Sequence, residues 1–462
     1  MQFYLRFEDF EKLKQLKKKS VFLIGGYNGY GKNFGDLLEL KNTASFYRNR
    51  EYNVFTLMHI QAISNENWFN DFKILFPEVI PIFWGKVNNE KSLNLKEIKK
   101  TDISFEILHL YGGGFLNEFW GRVVIQSVEE AFFTFEIKRY LITGQQISEK
   151  VIDAFKKHIS IFNPQLIGVR DKYSLFLLKR AGILNAIYSG DDAWELLEKL
   201  SKHFKKYIKR GNDFAIFHFN LSNYVISEDV NSHLNEIRKL ILTIKKRGIR
   251  KFLFFHAYDR NSILVKDTLR SLEYLEILKW IPCLKIISIP WVLPFLNSPS
   301  NLDVFIEENS LRDIRVKYAF VNSYHMGMFI ANLSIPVYLF SHNTYYKQKG
   351  REFSNQETSF DFLKNIDAIF EFQQNQIKKI SENRREFLRF FEEILSKKKP
   401  TKINSFNKYT YQNFPVESIL HIEIDDYVNQ LLKEKEKLLK EKERIKRDKF
   451  CQLYLKIKKI FF

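Results

Sequence analysis

The stretch "SVFLIGGYNGYGKNFGDLLELK", residues 20–41, decides how the rest of the chain is read. A β-branched and aromatic run ends in two glycines, a glycine-rich loop follows, and an apolar helical pattern begins near Gly35. Strand, loop and helix in that order open a parallel α/β unit. Glycines let backbone approach a ligand closely, and unpaired N–H groups at a helix start attract anions, so the loop is suited to a phosphate or carboxylate. No Gly-Lys-Ser/Thr follows, which excludes a P-loop. The next strand ends in "TLMHIQ" without the acid that a dinucleotide fold places there, which disfavours NAD. The plain alternative is a tight turn with Asp36 near the helix end.

Outward from this unit, short apolar runs alternate with helical patterns, as in a parallel sheet covered by helices. Strands are expected at 20–26, 53–60, 107–114, 139–146, 165–170 and 186–192, several ending in Gly or Asp where ligands bind in such folds. The segment "EKLSKHFKKYIKRGND" (198–213) loses apolar periodicity and marks a boundary. The strand pattern then restarts at 213–220, 251–258, 284–291, 318–323, 336–340 and, in "IDAIFEF", 366–372. The expected fold is α/β, two Rossmann-like domains facing a cleft in the GT-B-like manner, spanning 1–200 and 211–395. A linker at 396–427 and a basic helical tail at 428–462 complete it. Leu431, Leu438 and Ile445 recur every seven residues in that tail, but Glu434, Glu441 and Asp448 occupy the positions between, so a coiled coil is weakly supported.

With 462 residues, 45% hydrophobic and 16% aromatic, the chain can bury such cores. Two cysteines, Cys283 and Cys451, lack metal-ligand or redox spacing and suggest a reducing compartment. The start, "MQFYLRFEDFEKLKQLKKKS", has acids and lysines where a signal peptide needs an apolar core, so a cytoplasmic protein is expected, soluble or peripheral on the inner face of the membrane. The net charge of +19 is spread along the chain and accompanies a general Lys, Asn, Ile and Phe bias, which disfavours nucleic acid as its cause. In "YLKIKKIFF" (454–462) lysines alternate with apolar residues; this end suits an anionic lipid surface, and a solvated helix with an oligomer seam is the alternative.

Five motifs carry chemistry. "YNGYGKNFGD" sets Gly29, Asn33, Gly35 and Asp36 around the first loop, and "HLYGGGFLNEFWG" (109–121) places Gly112, Gly113 and Gly114 at a strand end. "GVRDKYSLFLLKRAG" (168–182) ends a strand with Arg170 and Asp171 and starts a helix with Ser174. A planar guanidinium there suits a carboxylate or phosphate, whereas Asp171 is equally read as a helix cap. "YSGDDAWELL" offers Asp191 and Asp192, although Asp192 with Glu195 also reads as a capping box. "VNSYHMGMFIANLSIPVYLF" (321–340) sets Ser323, Tyr324 and His325 at a strand-to-helix joint.

In their order these segments resemble the polysaccharide pyruvyl transferase family over about residues 20–375. The resemblance assigns Asn33, Gly35 and Asp36 to the family's opening motif, the glycines 112–114 to its cleft, Arg170, Asp171 and Ser174 to its Arg-Asp-x-x-Ser element, and His325 to its late histidine. Ser323 stands where many members have arginine, which removes an anion-binding group; Lys347, with Lys349 and Arg351, is placed to compensate. The resemblance implies transfer of the pyruvyl unit of phosphoenolpyruvate onto a sugar of a surface glycan or its lipid-linked precursor. It implies no metal and no cofactor beyond that donor. His325 is then the acid and base, Arg170 and the first loop hold the anion, and Ser323 orients. A nucleotide-sugar-dependent glycosyltransferase would share the cleft and glycine loops, and a non-catalytic glycan-binding scaffold would share the fold.

Overall fold

The computed structural model describes residues 2–13, 19–26, 33–64, 66–86, 94–99, 102–218, 230–257, 284–288, 299–340, 358–397 and 409–415, together with 347, 348, 350, 351, 353, 400, 401, 437, 440 and 444. Gly29 and nearly all of the tail at 428–462, including Leu431, Leu438 and Ile445 and the end expected to suit an anionic lipid surface, lie outside the described residues.

Ten strands make the first sheet: β1 (Gln2–Arg6), β2 (Ser20–Ile24), β3 (Asn53–His59), β4 (Val79–Gly85), β5 (Leu95–Glu97), β6 (Ile107–Leu110), β7 (Gly113–Leu116), β8 (Tyr140–Ile147), β9 (Leu166–Val169) and β10 (Ala186–Tyr188). Their spatial order is β10-β9-β8-β6-β2-β3-β4-β1-β5, with β7 beside β8. Every pairing is parallel except those of β1, which runs antiparallel to β4 and β5. The interior strands β2, β6, β8 and β9 are buried at every position, as expected when helices cover both faces.

A second sheet is wholly parallel: β11 (Ile208–His218), β12 (Lys251–His256), β13 (Leu284–Ser288), β14 (Ile314–Val321) and β15 (Val337–Leu339), ordered β13-β12-β11-β14-β15. Both halves are therefore mixed α/β, Rossmann-like and doubly wound. In each, the strand order reverses once near the middle, between β2 and β6 and between β11 and β14. Such reversals open a crevice at the carboxyl ends of the strands, where ligands sit.

Seven helices position the site: α1 (Phe34–Arg48), α2 (Gly121–Thr134), α3 (Ile152–Phe162), α4 (Lys172–Arg180), α5 (Trp194–Phe204), α6 (Tyr324–Asn332) and α7 (Ile366–Ser396). α1 stands between the sheets. Its first residue donates a backbone hydrogen bond from Phe34 N to Ala257 O (2.7 Å), just past β12, and the Phe34 ring meets Phe329 of α6 edge-on at 5.7 Å. One apolar cluster accordingly runs from Val21 and Leu37 through Leu197 and Phe329 to Phe391, joining both halves. A second cluster lies on the other face of the first sheet.

The expected strand at 366–372 is a correction: "IDAIFEF" is the first two turns of α7, a helix of 31 residues. Among its buried positions Ile369, Gln373, Ile380, Arg384, Phe387 and Phe391, with Ser381 beside them, fall at spacings of three, four and seven, a helical stripe that a seven-residue window cannot distinguish from a strand. β1 and β4 were also not anticipated. β1 hides in a charged opening, yet its Phe3, Tyr4 and Leu5 are all buried. β4 contains Pro81, which argues against an interior strand; β1 pairs only with Phe83 to Gly85, so at Pro81 β4 has a ladder partner on one side alone, Thr56 of β3. The stretch 198–213 is the end of α5 and the start of β11.

The chain then returns to the first sheet. Arg139, nearly fully buried, donates to the carbonyls of Ile394 (2.6 Å) and Leu395 (3.1 Å) at the end of α7. Residues 409–415 dock on α2 and α3: the buried Glu129 carboxylate accepts from Thr410 N (2.9 Å), Tyr411 N (3.3 Å) and the Thr410 hydroxyl, and Phe414 packs on Gly121.

Candidate active site

Residues far apart in sequence meet where the two strand-order reversals face each other. β14 ends at Val321, Ser323 takes the N-cap position of α6, and the first turn of α6 carries Tyr324 and His325. β2 leads across the glycine loop to α1, whose N-cap, Asn33, accepts from Gly35 N (2.9 Å). Gly35 is required by proximity: a Cβ there would lie 2.0 Å from His325 Nδ1. The imidazole therefore packs on the first turn of α1 through one nitrogen and reaches the first domain's carboxylates through the other.

That second nitrogen, Nε2, donates to Asp191 Oδ2 (3.1 Å), which follows β10. Glu39 Oε1 lies at the same distance, 3.1 Å, on the face of α1 one turn beyond Gly35. One N–H cannot aim at both. The hydrogen bond goes to Asp191, and among the described residues neither Glu39 oxygen has a hydrogen-bond donor directed at it. Glu39 is nevertheless fully buried, with Gly112 packed against its carboxyl.

Arg170, at the end of β9, is buried with Nη1 3.6 Å from Asp191 Oδ2 and its guanidinium 4.6 Å above the Tyr324 ring; Gln146 accepts from its Nη2. Two domains thus share one ionic cluster of Glu39, Arg170, Asp191 and His325.

Burial alone would disfavour charge on all of these groups. Desolvation pushes the Glu39 carboxyl up to about 7, the nearby imidazolium only partly offsetting it. Desolvation likewise opposes the Asp191 carboxylate, but His325, Arg170 and the Ala193 N–H together hold it well below the usual carboxylate range. For His325 burial works against the imidazolium, and the two carboxylates outweigh it, raising the ring to about 9. The carboxylates thus favour a protonated imidazole at neutral pH, while burial makes Glu39 easier to protonate than an exposed carboxylate. Because His325 titrates higher folded than unfolded, its contribution to stability is complete below about pH 6.5 and is lost as pH rises through about 9. Glu39, Asp191 and His325 also present one metal-ligand atom each within 4.8 Å of one another, so they are the described residues that could hold a cation; a proton on Nε2 occupies the same space.

A second buried layer supports the first. Asp192 accepts from Gly112 N (2.8 Å) and from the Thr143 hydroxyl, and receives Arg384 Nη1 (2.9 Å) from α7. Arg384 also reaches Ser189 O (2.9 Å) and Glu195 (2.8 Å). Behind Thr143 lies His109, which burial lowers to about 4 and so keeps neutral. With the Thr143 proton given to Asp192, Thr143 Oγ1 accepts from His109 Nε2 (2.7 Å), and His109 Nδ1 accepts from the Tyr47 hydroxyl (3.1 Å).

Of the residues expected from sequence, the structure gathers Gly35, Arg170, Asp191, Tyr324 and His325. Asp171 and Ser174 do not join them: Asp171 caps α4, accepting Ser174 N (2.7 Å) and Oγ (2.8 Å). Gly113 (φ +90°) and Gly114 shape the bend into β7, where Gly114 O accepts from Asn117. Ser323 makes no side-chain cap bond, Asp36 is half-buried in the first turn of α1, and Lys347 is exposed. Glu39 and Arg384 were missed. Glu39 is an acid in an otherwise apolar stretch four residues after Gly35, hence on its face of the helix, and that spacing was the available signal.

No family model matches the sequence, and no curated protein is similar to it. Among solved structures, UDP-GlcNAc 2-epimerase from Neisseria meningitidis bound to UDP-GlcNAc is similar at 11% identity over 82% of this chain and 100% of that one, with a TM-score of 0.46. The Methanocaldococcus jannaschii UDP-GlcNAc 2-epimerase in complex with UDP-GlcNAc and UDP is similar at 12% identity over 76% and 92%, with a TM-score of 0.41. A functionally uncharacterized protein from Klebsiella pneumoniae is similar at 14% identity over 74% and 90%, with a TM-score of 0.33. Among the described residues, no helix is long and apolar enough to cross a membrane.

Proposed function

We propose that this chain is a pyruvyl transferase acting on a sugar of a surface glycan or its lipid-linked precursor, with phosphoenolpyruvate as donor. The observation that carries the proposal is His325 Nε2 standing 3.1 Å from both Asp191 and Glu39, beside Arg170, at the joint of two doubly wound halves. Charged chemistry of that kind, buried at two facing strand-order reversals, supports proton transfer on an anionic substrate.

The steps balance as follows. The imidazolium of His325 gives its proton to the methylene carbon of the enol, making it a methyl group and leaving an oxocarbenium-like centre at the neighbouring carbon. One sugar hydroxyl attacks there, and its proton returns to His325. The carbon–oxygen bond to phosphate then breaks, and the second hydroxyl closes the ketal. The second hydroxyl proton leaves with the phosphate. Asp191 holds the ring and keeps it charged, Glu39 takes up or returns a proton near neutrality, and Arg170 with the start of α1 balances the donor's anionic groups.

Incubating the full chain with phosphoenolpyruvate and extracted surface glycan, followed by mass spectrometry, is expected to show a gain of one pyruvate less one water per modified sugar, with release of one phosphate. No such gain, together with protection from thermal unfolding by a uridine or cytidine nucleotide and none by phosphoenolpyruvate, would replace this reading with a nucleotide-sugar glycosyltransferase.

A further inference from the structure

Beside the ionic cluster an open groove runs between α4 and α7. It comprises a cavity of about 740 Å³ and a neighbouring one of about 410 Å³, which share Lys172, Phe176, Tyr188 and Asn383 as walls. Its lining includes Asp171 and Tyr188, next in sequence to Arg170 and three residues before Asp191 respectively.

Its surface has two unusual features together. Phe176 on α4 and Phe390 on α7 both line the larger cavity, yet are 55% and 38% exposed, although Arg180 stands 5.9 Å from the Phe176 ring and Tyr173 stacks near it at 6.3 Å. Large rings left in water on both walls of one trough are a surface awaiting a flat partner. Around them stand Lys179, Lys379 and Arg351, none with an acidic partner among the described residues; Arg351 lies 4.6 Å above the Tyr173 ring. Of the groove's two acids, Asp171 is engaged by Ser174, which leaves Glu386 against these cations.

We propose that this groove is the acceptor subsite and takes an acidic oligosaccharide. Pyranose rings lay their C–H faces on Phe176 and Phe390, hydroxyls find Asn383 and Glu386 between them, and carboxylate or phosphate groups on the chain meet Lys179, Lys379 and Arg351. An aliphatic lipid tail would leave those polar groups unpaired, and an inorganic polyanion would leave the rings exposed. The assignment as acceptor subsite rests on the transferase reading; the binding itself does not.

The test is calorimetric titration of the full chain with a short oligosaccharide of alternating uronic acid and N-acetylhexosamine, beside a neutral N-acetylhexosamine oligomer of the same length, a polyphosphate and a single-stranded RNA. The acidic oligosaccharide is expected to bind more tightly than the neutral one. The double variant Phe176→Ala, Phe390→Ala should weaken it roughly tenfold or more, with Phe176→Tyr retaining binding. Lys179→Glu with Lys379→Glu should weaken it and remove its salt dependence. Both rings are exposed, so the thermal midpoint and the response to phosphoenolpyruvate should stay at wild-type values, which separates failure here from failure of the donor reading. Acidic-oligosaccharide binding unchanged by loss of the rings, an equal loss for polyphosphate, or tighter RNA binding that the ring variants abolish would each overturn the proposal.

Discussion

His325→Gln is expected to lower kcat by about 10²- to 10⁴-fold, the usual contribution of a positioned acid and base, with little change in KM for the donor. Glutamine can still donate a hydrogen bond to Asp191 and still fills the space against Gly35, so the cluster keeps its shape. What it lacks is a transferable proton. The complementary variant is Asp191→Asn, which removes the larger of the two attractions that keep the imidazole charged. Its pH–rate profile should lose activity at lower pH than the wild type, because the acid form of His325 is then depleted sooner as pH rises. A purely structural role for His325 would instead lower both variants' thermal midpoints and leave the profile's shape unchanged.

Arg384→Ala is expected to cost about 3–5 kcal/mol of stability, the range for removing one partner of a buried ion cluster. The guanidinium is 4% exposed and serves Asp192, Glu195 and the Ser189 carbonyl at once. Without it Asp192 is a buried carboxylate still holding Gly112 N and the Thr143 hydroxyl, with no cation bonded to it among the described residues. Arg384→Lys should recover only part of the loss, since an ammonium cannot fork to three acceptors. Urea unfolding checks the magnitude. The same variant should also impair turnover, because Asp192 adjoins Asp191 and fixes the bend at Gly112 against Glu39.

Most strands buried on both faces were legible as continuous apolar runs, β2, β6 and β8 among them, whereas β4, nearly as buried, was obscured by Pro81. The elements lost were those whose pattern depends on partners distant in sequence. β1 is a strand only because β4 and β5 flank it, and the opening of α7 is a helix only because its stripe continues to Phe391. The site divides in the same way. His325, Arg170, Asp191 and Gly35 stand at strand ends or helix starts, which motifs mark. Glu39 and Arg384 lie inside helices: Glu39 was marked only by its spacing of four from Gly35 in an apolar stretch, and nothing local sets Arg384 apart from solvated charges; the packing of α1 and α7 against the first sheet buries both.

Two buried carboxylates favour the protonated form of His325 through neutral pH. NMR titration of the His325 ring in the full chain, assigned by comparison with His325→Gln, tests it without any substrate. The midpoint is expected near 9 and lower in Asp191→Asn. A midpoint at or below about 6.5, the unperturbed value, would contradict it.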